Sequence, residues 1–145
     1  MEILQSLKMN KPFKITSRLN SFRFAFAGIW VLLKTQSNAW IHCATTVLAV
    51  GCGVWLMLPP VEWCALVLAV MAVWIAEAFN TAVEFLADRV TTEQDPLIKK
   101  AKDAAAGAVL IAAIGAVVVG AILFLSRCAG KVELMTSTQH LPTGE

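Results

Sequence analysis

Three stretches of the sequence are long and apolar enough to cross a lipid bilayer, and they restrict the fold more than any other feature. They occupy about 39–58, 61–87 and 104–126, and a transmembrane helix needs about 20 consecutive apolar residues. The chain is 58% hydrophobic and only 15% charged, which departs from the composition of soluble domains. We therefore expect an all-α integral membrane protein with three transmembrane helices.

The segments outside these runs differ in character. Residues 1–17 form a polar N-terminal extension. Residues 18–35 carry large apolar side chains at helical spacing, which predicts an amphipathic helix on the membrane surface, a helix docked over the bundle, or both. Those side chains are Phe22, Phe26, Ile29 and Leu33. The last segment, 127–145, lacks periodicity, and we expect it to be a disordered tail.

Basic residues are distributed unevenly around the predicted spans. They precede the first span and fill the loop between the second and third spans, whereas the "LPPVE" turn between the first two spans has none. Cytoplasmic loops of membrane proteins are enriched in lysine and arginine. The N-terminus and the second loop are therefore predicted to face the cytoplasm.

Small side chains recur every fourth residue along the third span. They are Ala104, Ala108, Ala112, Ala116 and Gly120. A face of small residues lets membrane helices approach closely, which predicts tight packing within the chain, between chains, or both. An alanine-rich span can also contain such a stripe by chance.

The second span ends in acidic and amide residues that share one helical face. They are Glu77, Asn80, Glu84 and Asp88, at i, i+3, i+7 and i+11. If the apolar core begins near Trp63, Glu77 lies on the order of 8 Å inside the apolar layer. An ionisable group at that depth is a candidate functional residue. Alternatively, Asp88 is a solvated helix end, and Glu84 reaches the interface. An uncharged Glu77 could also hydrogen-bond Asn80 or another helix.

A second polar cluster follows in the loop "TTEQDPLIKKAKDAAAG". Asp95 suits a helix cap and Pro96 suits the first helical turn. That helix brings basic and acidic side chains to the cytoplasmic mouth of the site. They are Lys99, Lys100, Lys102 and Asp103.

Carboxylates and an amide suit Mg²⁺, while lysines suit phosphates. Together they favour phosphoryl transfer, whose catalysis is mostly positioning and charge neutralisation. The sequence contains neither GxxxxGK[ST] nor a kinase glycine loop, which excludes a soluble nucleotide-binding fold. An ion or proton pathway is the alternative class, although the polar groups cluster at one side of the membrane.

Several segments resemble the small prokaryotic integral membrane lipid kinases, the diacylglycerol kinase and undecaprenol kinase family. The similarity lies in "SFRFAFAGI", "NAWIH", "EAFNTAVEFLAD" and "AKDAAAGAVLIAAI". It covers roughly 18–125, so that 18–126 would be the lipid kinase domain. The resemblance implies a homotrimer in the bacterial inner (plasma) membrane with its active site on the cytoplasmic side. It also implies phosphorylation of a membrane lipid alcohol by Mg-ATP, with no nucleic acid partner.

The resemblance assigns catalytic and substrate-binding roles to three residues. Glu77 would be the general base that takes the proton from the lipid hydroxyl. Asn80 would orient Glu77 or the substrate. Asn38 would contribute to substrate binding in the "NAWIH" segment.

The same resemblance assigns the metal and the nucleotide. Glu84 would bind the Mg²⁺ that bridges the ATP phosphates. Lys102 and Asp103 would contact the nucleotide, and Asp88 would support the same site. Gln36 stands where the family commonly has a glutamate that binds metal, and its amide oxygen can bind Mg²⁺ without contributing charge. A catalytically inactive scaffold of the same fold is therefore a further alternative.

The lipid is predicted from two short motifs. "NAWIH" and "DPLIKKAKD" are more similar to the undecaprenol kinase branch than to the diacylglycerol kinase branch. Undecaprenol is thus the first expected substrate and diacylglycerol the second. Both present a primary hydroxyl at the membrane surface.

Overall fold

The computed structural model describes residues 15–91 and 93–138, and the side chains of 20–91 and 93–130. All of the regular secondary structure in these residues is α-helical, which confirms the all-α class. The helices are α1 (Ile15–Thr35), α2 (Ser37–Trp55), α3 (Pro60–Val90) and α4 (Pro96–Thr138). The predicted polar extension falls almost wholly on residues that the structure does not describe, except that its last residues already belong to α1.

Helix α1 forms a unit of its own, since the chain divides between Thr35 and Gln36. The backbone of Gln36 is extended (φ −104°, ψ 116°), which separates α1 from α2. The large apolar side chains of α1 are mostly exposed, with Phe22 and Phe26 among them. The Lys34 ammonium lies 4.9 Å from the centre of the Trp30 ring, a cation–π arrangement. This helix includes the predicted range 18–35, and its place on the membrane surface stays a prediction.

Helices α2, α3 and α4 pack together, and the contact between α3 and α4 is the most extensive. Leu56 and Leu58 of the turn from α2 to α3 form a small apolar cluster with Leu66 of α3, and Trp63 packs against it. Gly53 lies beneath it, where an added Cβ would come within 3.0 Å of the Trp63 ring. A glycine here lets the turn close tightly on the end of α2.

An ion pair joins α3 to α4 near the same turn. The Arg127 guanidinium donates from Nε to both carboxylate oxygens of Glu62, at 3.1 and 2.8 Å, and its Nη2 also contacts Oε1. Such fork-shaped contacts combine charge with fixed geometry. The pair therefore fixes the register of the two long helices at the end of the molecule opposite the acidic cluster.

The start of α4 confirms the predicted cap. The Asp95 carboxylate accepts hydrogen bonds from the backbone N–H groups of Leu97 and Ile98, at 2.7 and 3.1 Å, and Pro96 is the first helical residue. The other end of α4 differs from our expectation. The helix runs on to Thr138, so the predicted disorder is wrong for 127–138. Residues 139–145 are not described.

Two of the described helices are long and apolar enough to cross a membrane, namely α3 and the Pro96–Gly130 part of α4. Helix α2 has 19 residues and begins with Ser37 and Asn38, and it is not among them. Many of the large apolar side chains on α3 and α4 are exposed, as expected of helices that face lipid or further helices. Of the small-residue stripe, Ala104 and Ala108 are exposed and the other members are half-buried.

Candidate active site

Glu77 is the centre of the site because it is the most deeply buried ionisable group of the described residues. Its exposure is 0%, and within the described part of the chain neither of its carboxylate oxygens has a hydrogen-bond partner. Buried polar atoms are nearly always paired, so an unpaired buried carboxylate needs a specific explanation. The hydrogen bond to Asn80 that was one alternative for Glu77 is not formed. Glu77 is therefore a candidate for a contact with a group outside the described residues.

His42 approaches Glu77 from helix α2. Its Nε2 lies 3.7 Å from Oε2 of Glu77, and the histidine side chain is 14% exposed. The Trp74 ring packs against the imidazole in an edge-on contact, with ring centres 6.0 Å apart. Trp74 is in turn held by the bond that its Nε1 donates to Oγ1 of Thr46, at 3.2 Å. These contacts fix the imidazole beside the buried carboxylate.

Glu84 lies two helical turns further along α3 and is held by two amide groups. Gln36 donates from Nε2 to Oε2 of Glu84 at 2.9 Å, across 48 residues of chain. Asn80 donates from Nδ2 to Oε1 at 3.0 Å. Both carboxylate oxygens are thus fixed by neutral donors, instead of reaching freely to the interface. The side-chain amide oxygen of Asn80, Oδ1, is buried and has no hydrogen-bond partner among the described residues.

The end of α3 and the start of α4 form a pocket of about 720 Å³ whose lining includes Asp88, Asp95, Lys99, Lys102 and Asp103. Lys102 donates to the Asp88 carboxylate at 3.0 Å, and Lys99 lies 3.4 Å from Asp103. A pocket of this size can hold a small molecule. Its mixture of carboxylates and ammonium groups suits a phosphate-bearing ligand together with a cation.

The structure brings most of the predicted residues into one continuous region along α3. Glu77 and Asn80 are buried, Glu84 is half-buried and Asp88 is exposed, which follows the depth gradient expected from their spacing. Asn38 is exposed at the start of α2.

The sequence analysis did not identify His42, although it is the only ionisable group in the first apolar run. That isolation was the signal that could have revealed it, because an ionisable residue in such a run is a functional candidate. Thr46 and Trp74 carried no comparable signal.

The sequence is similar to that of several known proteins. Residues 23–124 match the family model of prokaryotic diacylglycerol kinase. The chain is 35% identical over 120 residues to undecaprenol kinase of Bacillus subtilis (strain 168), covering 83% of this chain and 93% of that protein. It is 44% identical over 108 residues to diacylglycerol kinase of Synechocystis, covering 74% and 62%. Diacylglycerol kinase of Escherichia coli (strain K12) is 38% identical over 96 residues, covering 61% and 79%.

Proposed function

The chain belongs to the prokaryotic diacylglycerol kinase family and is therefore a membrane lipid kinase, and on that premise we propose that it transfers the γ-phosphate of Mg-ATP to the primary hydroxyl of undecaprenol. Diacylglycerol is the second candidate acceptor. The family membership favours this activity over the ion or proton pathway that the polar face of α3 also suggested.

The unpaired carboxylate of Glu77 is the observation that carries the proposal. A fully buried carboxylate without a hydrogen-bond donor is costly, and it suits a general base whose donor arrives with the substrate. Glu77 takes the proton of the lipid hydroxyl, and the hydroxyl oxygen attacks the γ-phosphorus as the bond to the ADP oxygen breaks. The products are the lipid phosphate, ADP and a proton on Glu77, so that atoms and charge balance.

The carboxylate and amide oxygens at and around Glu84 are suitable ligands for a divalent cation. Kinases act on ATP with a divalent metal, and we propose Mg²⁺, which prefers carboxylate and amide oxygens and keeps several waters. In the described part of the chain no three His, Cys, Asp or Glu side chains come together as a metal site. Glu84 would therefore hold the metal with amide oxygens and the ATP phosphates. The unpaired Oδ1 of Asn80 is one such oxygen, and Gln36 supplies another if its amide turns.

The metal, when bound, would neutralise charge at the phosphates. The chain's own residues would bind and position the nucleotide. Lys102 and Asp88 already form the wall of the pocket beside Glu84. Lys102 is proposed to hold a phosphate as a point charge, and Asp103 to contact the nucleotide. Glu84 lies seven positions after Glu77 on α3, which corresponds to roughly 10 Å along the helix. The lipid end and the nucleotide end of the site thus lie on one rigid element.

We further propose that three helices, α2 to α4, span a bacterial inner membrane and that the chain acts as a homotrimer. The basic residues around α1 and at the start of α4 support a cytoplasmic site. The exposed apolar side chains of α3 and α4 support burial in lipid and against neighbouring subunits. Asn38, exposed at the start of α2, is then available to a lipid head group.

Undecaprenol is proposed first because the Bacillus subtilis undecaprenol kinase matches over 93% of its length, whereas the two diacylglycerol kinases match over 62% and 79% of theirs. The greater identity to the Synechocystis protein, 44%, is the reason to test diacylglycerol beside it.

The test is phosphate transfer from labelled ATP by purified protein in lipid, with undecaprenol or diacylglycerol as the acceptor. Glu77→Gln is expected to lower the rate by about 10²- to 10⁴-fold, the usual contribution of a general base. Glu133→Gln, the same exchange near the end of α4, is the matched control. Removal of Mg²⁺ by EDTA should stop transfer, and its return should restore it. Folded wild-type protein that labels neither lipid would instead support an inactive scaffold.

A further inference from the structure

We infer that His42 binds the acceptor hydroxyl of the lipid, donating Nε2–H to the hydroxyl oxygen while the hydroxyl donates its hydrogen to Glu77. This inference rests on the proposed function, and it identifies a substrate contact that the sequence did not. The observation behind it is a group of buried polar atoms without partners, on two different helices.

The unpaired atoms have complementary chemistry. Among the described residues, Nε2 of His42, both carboxylate oxygens of Glu77 and Oδ1 of Asn80 are buried with no hydrogen-bond partner. The glutamate and asparagine oxygens accept hydrogen bonds, whereas the imidazole nitrogen can donate. A ligand group that both donates and accepts can therefore bond the imidazole and one of these oxygens at the same time. A hydroxyl has this ability, because it has one hydrogen and two lone pairs.

The distance between His42 and Glu77 also suits a hydroxyl. The 3.7 Å from Nε2 to Oε2 is too long for a direct hydrogen bond. A hydroxyl oxygen about 2.8 Å from each atom forms a triangle on that 3.7 Å base. It can thus contact both groups at their present separation, although the side chains that cover these buried atoms must move aside to admit it. The hydroxyl hydrogen then points at the carboxylate that is to take it.

The surroundings of His42 supply a place for the lipid chain. His42 lies in the lining of a groove of about 480 Å³ between α2, α3 and α4, which is mostly apolar. Along α3 this groove extends from Leu66 to Val73, and Glu77 follows one helical turn later. A lipid with its hydroxyl between His42 and Glu77 can lay its chain along the groove. His42 is therefore the member of the proposed polar contact that borders the apolar groove.

The competing explanation is that His42 only neutralises Glu77 as an ion pair. In that case loss of the imidazole would damage every reaction of Glu77 and would not act selectively on the lipid. If His42 instead contacts the hydroxyl, its loss weakens the binding of the lipid and leaves the binding of ATP unchanged. The split between the two Michaelis constants distinguishes these roles.

The experiment measures KM for undecaprenol and for ATP, together with kcat, in His42→Met and His42→Gln. Methionine fills a similar volume without a donor, and glutamine keeps an N–H near the position of Nε2. One lost hydrogen bond corresponds to about a tenfold change. We expect His42→Met to raise the KM for the lipid about tenfold with the KM for ATP unchanged, and His42→Gln to stay within about threefold of wild type.

His140→Gln, an exchange at the second histidine of the chain, is the matched control, and thermal unfolding checks that each variant is folded. An unchanged lipid KM in His42→Met overturns the inference, as does an equal rise in the KM for ATP, or a His42→Gln variant as impaired as His42→Met. Wild-type protein that labels neither lipid overturns the proposed function itself. If His42→Met does not fold, Trp74→Phe replaces it. The phenylalanine cannot form the hydrogen bond to Thr46, so it supports the His42 imidazole less firmly. We expect the KM for the lipid to rise about threefold, and no rise overturns the inference.

Discussion

Exchange of Gln36 for glutamate tests how Glu84 is held when no metal is bound. In the native chain the Gln36 amide donates a hydrogen bond to Glu84 at 2.9 Å. Gln36→Glu removes this donor and places a second carboxylate at the same point. The remaining donor is Asn80, whose own bond of 3.0 Å goes to the other oxygen of Glu84. The variant therefore has two acidic groups in contact, and a single amide donor remains on Glu84.

The magnitude follows from the distance. Two unit charges about 3 Å apart at an effective dielectric constant near 20 repel by roughly 6 kcal/mol, and at about 6 Å by roughly 3 kcal/mol. The side chains can move apart, so we expect the free energy of unfolding to fall by about 3 kcal/mol in EDTA. That corresponds to a decrease on the order of 10 °C in the midpoint of thermal unfolding.

Magnesium should reverse the effect, because a cation between two carboxylates replaces repulsion with coordination. Thermal unfolding of Gln36→Glu is measured in EDTA and over a range of Mg²⁺ concentrations, beside Gln36→Met. The methionine variant loses the same donor without gaining charge, and should lose less stability, with no dependence on Mg²⁺ beyond that of wild type. A Gln36→Glu protein as stable in EDTA as wild type, or one that Mg²⁺ does not stabilise, would refute this account of the site.

Further variants test the pocket and the ion pair between α3 and α4. Lys102→Met should raise the KM for ATP about tenfold, since it removes a charged hydrogen-bond donor, while Lys100→Met, an exposed neighbour, should leave it unchanged; steady-state kinetics at saturating lipid decide this. Glu62→Gln and Arg127→Met should each lower the thermal midpoint without affecting transfer. The double variant should be no less stable than the worse single variant, because the two residues bond each other; additive losses would contradict a specific pair.

The sequence by itself determined the helical class and the order of polar residues along α3. An apolar run of 20 residues or more predicts a helix without knowledge of the rest of the fold, because a helix satisfies its backbone hydrogen bonds within the segment. The spacing of Glu77, Glu84 and Asp88 fixed a common face because helical periodicity is a property of one segment. The Asp95 cap was equally local. The helical continuation of α4 to Thr138 was missed because the tail has no periodic apolar face.

Only the tertiary structure decided which side chains meet across helices. His42 beside Glu77, and Gln36 bonded to Glu84 from 48 residues away, depend on the rotation and register of α2 against α3. Periodicity within one helix says which residues share a face, and does not say which face of another helix it meets. The Glu62–Arg127 pair, separated by 65 residues, arises in the same way. Local sequence patterns thus identify the candidate reacting groups, whereas the packing of the helices determines which side chains they contact.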